Sequence, residues 1–178
     1  MTIEANSEEM ECVVSLEQEI TELGSGFGGG RWPCEGPLWY KDEGHLLFSD
    51  IENNKRMKWS PSSGISLDFE PSNQANGLTR DLQGRLIACE HKTRRIVRYE
   101  PEGPVTVIAN NYKGTRLNRP NDTIVKSDGT IYFTDPGAPD PELDLDFSGV
   151  YRVSEDLGTL TLFLKDFVTP NGIAFSPD

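Results

Sequence analysis

The sequence predicts an all-β protein built as a β-propeller, with about three blades and the first strand of a fourth in this chain. The first observation behind this prediction is a repeat. The segment EGPLWYKDEGHLLFSD begins at Glu35, and similar segments begin at Asn76, Asn121 and Asn171. These starts are 41, 45 and 50 residues apart, and a period of roughly 40 to 50 residues is typical of propeller blades.

The second observation is a constant register inside each complete unit. A turn glycine follows the first apolar run, and an acidic residue lies six positions after that glycine. The pairs are Gly44 and Asp50, Gly84 and Glu90, and Gly129 and Asp135. Two further apolar runs follow each acid. Four short strands joined by tight turns make one blade, so each unit is predicted to be a four-stranded sheet.

The segment 1–24 lies outside the repeat. Within it, VVSLEQEITEL (13–23) is compatible with a helix or with an outer strand. We expect a strand that completes the last blade and closes the ring. The following GSGFGG (24–29) matches Gly-x-Gly-x-x-Gly, but no strand precedes it and no helix follows, so we expect a connector and not a dinucleotide site.

Residues 25–178 form the predicted first half of the propeller, with blade units that start near 35, 76, 121 and 171. The third unit contains the acidic, proline-rich insertion PGAPDPELDLDFSG (136–149). Insertions of this kind occur most often in loops on the binding face. The fourth unit ends with TPNGIAFSPD and therefore contributes only its first strand.

Charge and cysteine content narrow the range of partners. The formal net charge is −12, and nucleic-acid binding needs a clustered basic surface. The basic cluster KTRRIVR (92–98) is interpreted as the solvent face of a strand. We expect neither a nucleic-acid nor a membrane partner. No signal-peptide pattern precedes Arg31, and the three cysteines are an odd count without metal-binding spacing, which predicts a cytoplasmic protein.

The residues that begin the units are the candidate site. A blade's innermost strand lines the central channel, so Glu35, Asn76, Asn121 and Asn171 are predicted to converge at one mouth of that channel. A carboxylate and amide carbonyls are hard oxygen ligands, which makes Glu35, Asn121 and Asn171 a candidate site for Ca²⁺, Mg²⁺ or Mn²⁺. The alternative is that these residues only cap turns at the starts of the blades.

Four segments of the chain resemble the gluconolactonase and senescence marker protein (regucalcin) family of six-bladed propeller lactonases. They are CEGPLW, GRLIACEH, RPNDTIVKSDGTIYFTDP and TPNGIAFSPD, and the resemblance covers about Trp32 to Asp178. It implies that Glu35 and Asn171 are metal ligands and that Asn121 lies close to the metal and substrate. Arg119 would be a substrate contact, and a catalytic Asp would lie in a later blade. A further substrate-binding Glu of some members is not clearly matched by Glu142.

The resemblance implies hydrolysis of a sugar lactone, with Ca²⁺ as the first expectation for the metal and Zn²⁺, Mn²⁺ or Mg²⁺ as alternatives. We expect Arg119, Asn121, Asn76 and Glu90 to bind the hydroxyl-rich lactone. For His91, a place in the site and a structural loop role both remain open. Two other functions also stay open: a calcium-binding or interaction propeller without activity, and a lactonase or esterase for a non-sugar substrate. The chain alone is expected to be an inactive part that lacks the C-terminal blades of the same propeller.

Overall fold

The computed structural model describes residues 7–137 and 142–176, and their regular structure is almost entirely β. A short 3-10 helix, Glu8–Cys12, comes first. The first sheet contains β1 (Cys34–Tyr40), β2 (His45–Asp50), β3 (Lys55–Ser60) and β4 (Gly64–Phe69), and the second contains β5 (Ala75–Arg80), β6 (Leu86–Glu90), β7 (Arg95–Arg98) and β8 (Thr106–Ala109). A hairpin of β9 (Asn111–Tyr112) and β10 (Thr115–Arg116) follows. The third sheet contains β11 (Thr123–Val125), β12 (Ile131–Asp135), β13 (Gly149–Val153) and β14 (Leu160–Leu164).

Each four-stranded sheet is an antiparallel meander in which every strand pairs with the next one in sequence. This is the arrangement of a propeller blade, and the three sheets match the three complete units of the repeat. The predicted fold class is therefore confirmed. The β9–β10 hairpin, which joins the second and third blades, was not foreseen from the sequence. Among the described residues, no helix has the length and apolar character needed to cross a membrane.

The turn glycine and the acidic residue six positions later each have a structural role in every blade. Gly44, Gly84 and Gly129 adopt φ angles of 64°, 81° and 83° in the turns between the first two strands, a conformation that costs other residues energy. The acid at the end of the second strand is buried and binds the segment that leads into its own blade. Asp50 accepts from the Gly28 amide at 3.0 Å, Glu90 from the Asn73 side chain at 3.1 Å, and Asp135 from the Asn118 amide at 2.8 Å.

The apolar core consists of two clusters between adjacent blades. The smaller one joins the first and second blades, and its buried members are Leu47, Ala75, Leu78, Leu86, Ala88 and Val97. The larger one joins the second and third blades and includes Ile87, Cys89, Ile96, Leu117, Phe133 and Tyr151. In the third blade, the rings of Phe133 and Tyr151 stack at 5.1 Å. Packing between blades thus holds their inner strands in fixed relative positions.

Two predicted strands have no counterpart among the described residues. Residues 13–23 form turns and irregular segments, and 171–176 are irregular as well. A strand needs a hydrogen-bonding partner strand, and the described residues supply none to either segment. The closing role of 13–23 therefore stays a prediction. The basic cluster 92–98 does fall partly on a strand, β7, where Arg95 and Arg98 are half-buried and paired with Glu90 and Glu100.

Candidate functional site at the channel mouth

The residues that start the second, third and fourth units are each fixed by the blade before them. In all three cases the backbone carbonyl of the asparagine accepts a hydrogen bond from the preceding blade. The donors are Ser49 Oγ to Asn76 at 2.7 Å, Gly77 N to Asn121 at 2.8 Å, and Thr134 Oγ1 to Asn171 at 2.7 Å. The starts of the units therefore follow one another around the channel, and Asn171 is held in place although residues 172–176 form no strand.

A glycine after the start of the first and of the second unit lets neighbouring blades approach closely. A Cβ on Gly36 would lie 2.1 Å from the Asn76 carbonyl oxygen, and one on Gly77 would lie 2.3 Å from Asp122 Oδ1. The third unit has Asp122 at the equivalent position. Its Oδ2 accepts a hydrogen bond from the Ile173 amide at 3.1 Å. Burial raises the pKa of Asp122, and bonds from the Ile173 and Thr123 amides oppose the rise.

A cleft of about 280 Å³ opens where these unit starts meet the loops of the second and third blades. It is lined by Trp32, His91, Arg119, Asn121, Pro136, Gly137, Thr169 and Asn171. The structure thus brings together four of the predicted site residues, namely His91, Arg119, Asn121 and Asn171. Pro136 and Gly137 begin the insertion, so this loop reaches the cleft as expected; its residues 138–141 lie outside the described part.

His91 connects the second blade to this cleft. Its Nε2 lies 3.3 Å from Nδ2 of Asn76, a side chain that is only 3% exposed. Burial lowers the pKa of His91 to about 4, and the charge of Arg119 contributes to the decrease. The imidazole is therefore neutral at neutral pH. If the Asn76 amide donates to Nε2, the ring proton sits on Nδ1. Asn76 itself supports His91 and is not among the lining residues.

Arg119 places a guanidinium at the edge of the cleft. Its Nη2 lies 3.6 Å from Oε2 of Glu142, and the Glu142 side chain is 82% exposed. An ion pair so exposed is weak and can open when a ligand competes for the arginine. A second pair joins the insertion to the second blade, between Asp144 Oδ2 and Arg94 Nη2 at 2.9 Å. Arg94 also donates through Nε to the carbonyls of Leu117 and Asn118, which orders the loop that carries Arg119.

Besides Asn76, two predicted site residues, Glu35 and Glu90, are not among the residues that line the cleft. Glu35 lies half-buried on β1, and its carboxylate accepts no hydrogen bond within residues 7–137 and 142–176. Glu90 is 1% exposed, and its oxygens are occupied by Arg95 at 2.6 Å, by Asn73 and by the Thr93 hydroxyl. These hydrogen bonds inside the second blade satisfy the Glu90 carboxylate, so its burial is explained without a substrate contact.

The donor chemistry at the starts of the units suits a hard cation. Glu35 has a carboxylate without a protein partner in the described residues, and Asn121 and Asn171 line the cleft. Such oxygen donors bind Ca²⁺, Mg²⁺ or Mn²⁺. In the part of the chain that the structure describes, no three His, Cys, Asp or Glu side chains cluster to hold a metal. A Cys/His zinc site is therefore not formed by these residues.

Trp32 is the lining residue that sequence reasoning missed. It precedes the first unit by three positions and is half-buried. Its ring packs edge-on against His91, with centroids 5.5 Å apart and planes inclined by 64°. The sequence did contain a signal that could have pointed to Trp32: an aromatic residue beside a proline, between the glycine-rich connector and Glu35. That signal is local, whereas the contact with His91 depends on how the connector folds.

Comparison with known proteins assigns the chain to a family. The model of the SMP-30/Gluconolactonase/LRE-like region matches residues 33–178, which is most of the sequence. The chain belongs to this family. The family resemblance found in the sequence segments is thereby confirmed.

Three proteins named as gluconolactonases are similar to the chain in sequence or structure. A gluconolactonase of Zymomonas mobilis is 33% identical over 97% of this chain and 52% of its own length. A solved structure assigned provisionally as a gluconolactonase superposes with a TM-score of 0.77 at 35% identity, covering 88% of this chain and 56% of the other. For a gluconolactonase of Xanthomonas campestris, the TM-score is 0.67 at 33% identity, over 74% and 47% of the two chains.

A more distant structure shares the fold alone. The calcium-binding protein regucalcin of Agrobacterium tumefaciens is 20% identical, with a TM-score of 0.61 over 82% of this chain and 47% of that one. The chain spans about half the length of the curated relative and of these solved proteins.

Proposed function

We propose that this chain forms the first half of a metal-dependent lactonase that hydrolyses a sugar lactone, as its gluconolactonase relatives are named to do. The observation that carries the proposal is the cleft, where His91, Arg119, Asn121 and Asn171 meet in a chain of the gluconolactonase family. These residues come from separate loops and blade starts, and their polar groups converge on one opening. Convergent polar groups in a concave site are typical of small-molecule binding.

The chain's own residues would bind and orient the lactone. Arg119 presents several N–H donors to the ring hydroxyls or to the carbonyl oxygen as it gains negative charge. Asn121 offers both a donor and an acceptor to the same ring. His91, neutral because of its lowered pKa, lines the cleft without bringing a second positive charge beside Arg119.

Glu35, Asn121 and Asn171 are the residues that would hold a divalent cation, with Ca²⁺ as the first candidate. When bound, such a cation polarises a carbonyl group and stabilises an oxyanion. Glu35 would provide the negative charge, and the asparagines would provide neutral oxygens. Hydrogen bonds from the Gly77 amide to the Asn121 carbonyl and from the Thr134 hydroxyl to the Asn171 carbonyl hold both asparagines in position before any ligand arrives.

The reaction itself needs a water molecule, a proton acceptor and a broken ester bond. Water adds to the lactone carbonyl and gives up a proton to a carboxylate. The ring C–O bond then breaks as this proton passes to the leaving ring oxygen, and the product is an open-chain sugar acid. The family resemblance implies that this carboxylate lies in a later blade. We therefore propose that activity belongs to the complete propeller and that the 178-residue chain alone is inactive.

Proton release from δ-gluconolactone at constant pH, corrected for spontaneous hydrolysis, tests the proposal. In a complete propeller that carries these blades, Ca²⁺ should raise the rate. Glu35→Gln should lower the rate and the Ca²⁺ affinity together, by at least about tenfold, which corresponds to about 1.4 kcal/mol. The control is Glu102→Gln, at an exposed turn position, which should change neither quantity. Ca²⁺ binding without lactone-dependent proton release would instead support a calcium-binding propeller.

A further inference from the structure

We propose that Trp32 is a substrate-binding residue whose indole forms the apolar wall of the cleft, against which the C–H face of a sugar-lactone ring packs. The inference rests on the proposed function and extends it, because it names the part of the site that recognises the ring. It also assigns a ligand-binding role to a residue that lies outside the repeat. The argument starts from how the connector brings Trp32 to the channel mouth.

One hydrogen bond holds the glycine-rich connector against the first blade, and a second folds the connector back on itself. The Gly28 amide donates to Asp50 Oδ1 at 3.0 Å, and the Gly29 amide donates to the carbonyl oxygen of Trp32 at 2.9 Å. Gly28 adopts a φ of +72°, and a Cβ there would lie 3.2 Å from the same Trp32 oxygen. The connector therefore folds back tightly, and this turn determines where the Trp32 side chain is placed.

Two neighbours then fix the orientation of the indole. The His91 ring packs against it at 5.5 Å, and the Arg31 guanidinium carbon lies 5.1 Å from its centroid. His91 is held in turn by Asn76. The indole is only half-buried, and it lines the cleft together with His91, Arg119 and Asn121. The part that remains open is thus a rigid apolar surface beside Arg119 and Asn121.

A sugar lactone has the complementary chemistry. Its ring presents C–H groups on its faces and hydroxyl groups around its rim. Aromatic side chains supply a large apolar surface with few rotatable bonds, and the neighbouring Arg119, Asn121 and Asn171 can bind the rim. The cleft volume of about 280 Å³ lies near the lower limit for small-molecule sites, about 300 Å³, and suits one sugar ring. An open-chain product has no such ring face, so Trp32 should favour the substrate over the hydrolysed acid.

NMR spectra of the N–H groups of the nitrogen-labelled 178-residue chain test the proposal. The indole N–H signal that disappears in Trp32→Phe identifies Trp32, while Trp39 on β1 and Trp59 on β3 serve as internal controls outside the cleft. The probes are anhydroglucitol, a ring without a carbonyl group, and sorbitol, its open-chain counterpart. Anhydroglucitol should shift the Trp32 signal saturably and leave Trp39 and Trp59 unchanged. Sorbitol should bind at least about tenfold more weakly.

Variants separate this proposal from the proposed function. Trp32→Ala should weaken anhydroglucitol binding by about tenfold, and Trp32→Phe should retain most of it, because an aromatic surface remains. Shifts at the Asn121 and Arg119 amides without a shift at Trp32 would overturn the role of Trp32 while leaving a sugar site in place. Equal shifts with sorbitol would overturn the selection of the ring. If no cleft signal responds and the complete propeller also hydrolyses no lactone, both the inference and the function fail.

Discussion

Gly77→Ala should destabilise the protein and displace Asn121 from the cleft. Gly77 follows Asn76 at the start of the second blade and touches the start of the third. An added Cβ would lie 2.3 Å from Asp122 Oδ1, 2.6 Å from Asp122 Cα and 2.7 Å from the Asn121 carbonyl oxygen. Ordinary contact begins at 3.4 Å, so backbone atoms of the third blade would have to move by roughly 1 Å, a shift that a packed core opposes.

The expected loss of stability follows from two contributions. Overpacking of this kind costs about 1–3 kcal/mol. The same movement weakens the bond from the Gly77 amide to the Asn121 carbonyl, 2.8 Å long, which adds about 1 kcal/mol. The free energy of unfolding should therefore fall by about 2–4 kcal/mol, a decrease of about 5–15 °C in Tm for a domain of this size.

Urea unfolding followed by circular dichroism measures this change. Gly30→Ala is the matched control, because a Cβ there meets nothing within 4 Å; its stability should stay within about 0.5 kcal/mol of the wild type. Removing the Asp122 side chain should not rescue Gly77→Ala, since Asp122 Cα and the Asn121 carbonyl belong to the backbone. A Gly77→Ala protein as stable as the wild type would refute the close packing of the blade starts.

Two further variants test the buried acids that end the second strands. Glu90→Gln should lower the free energy of unfolding by about 1–3 kcal/mol, because Arg95 loses its charged partner, and an effect no larger than that of exposed Glu43→Gln would contradict this role. Burial raises the pKa of Asp135 to about 7, so this group makes the wild type less stable as pH rises from about 4 to about 7. Asp135→Asn should remove that loss. The free energy of unfolding of the variant minus that of the wild type, measured by urea unfolding, should increase by up to roughly 4 kcal/mol between pH 4 and pH 7. A difference that does not change with pH would show that the Asp135 carboxyl is not responsible.

The blade repeat could be predicted because its determinants are local. The turn glycines Gly44, Gly84 and Gly129 need positive φ angles, and the acid six positions later falls at the end of the paired strand. Short apolar runs completed the pattern. The start of the fourth unit at Asn171 was predicted because it repeats the Pro-Asn opening at Asn121, and it stays a prediction. Because the units recur at similar intervals in the sequence, their first residues lie in similar positions around the channel.

Other features depend on contacts between distant segments. Trp32 reaches His91 only because Asp50 holds the connector at Gly28. The spacing of Glu90 could not reveal that Asn73, Thr93 and Arg95 satisfy its carboxylate. Residues 13–23 have a pattern compatible with a strand, but pairing decides whether a strand forms. Local pattern therefore predicts the blades well, while side-chain roles at the channel mouth require the folded structure.

The central claim is that Glu35, Asn121 and Asn171 can share one divalent cation at the channel mouth. The most direct test is an anomalous-difference map from crystals soaked in Mn²⁺, grown from a complete propeller that carries these three blades. The account predicts one peak on the channel axis, with side-chain oxygens of these residues about 2.0–2.6 Å away. A peak elsewhere, or a channel mouth in which the Glu35 carboxylate points away from Asn171, would contradict it.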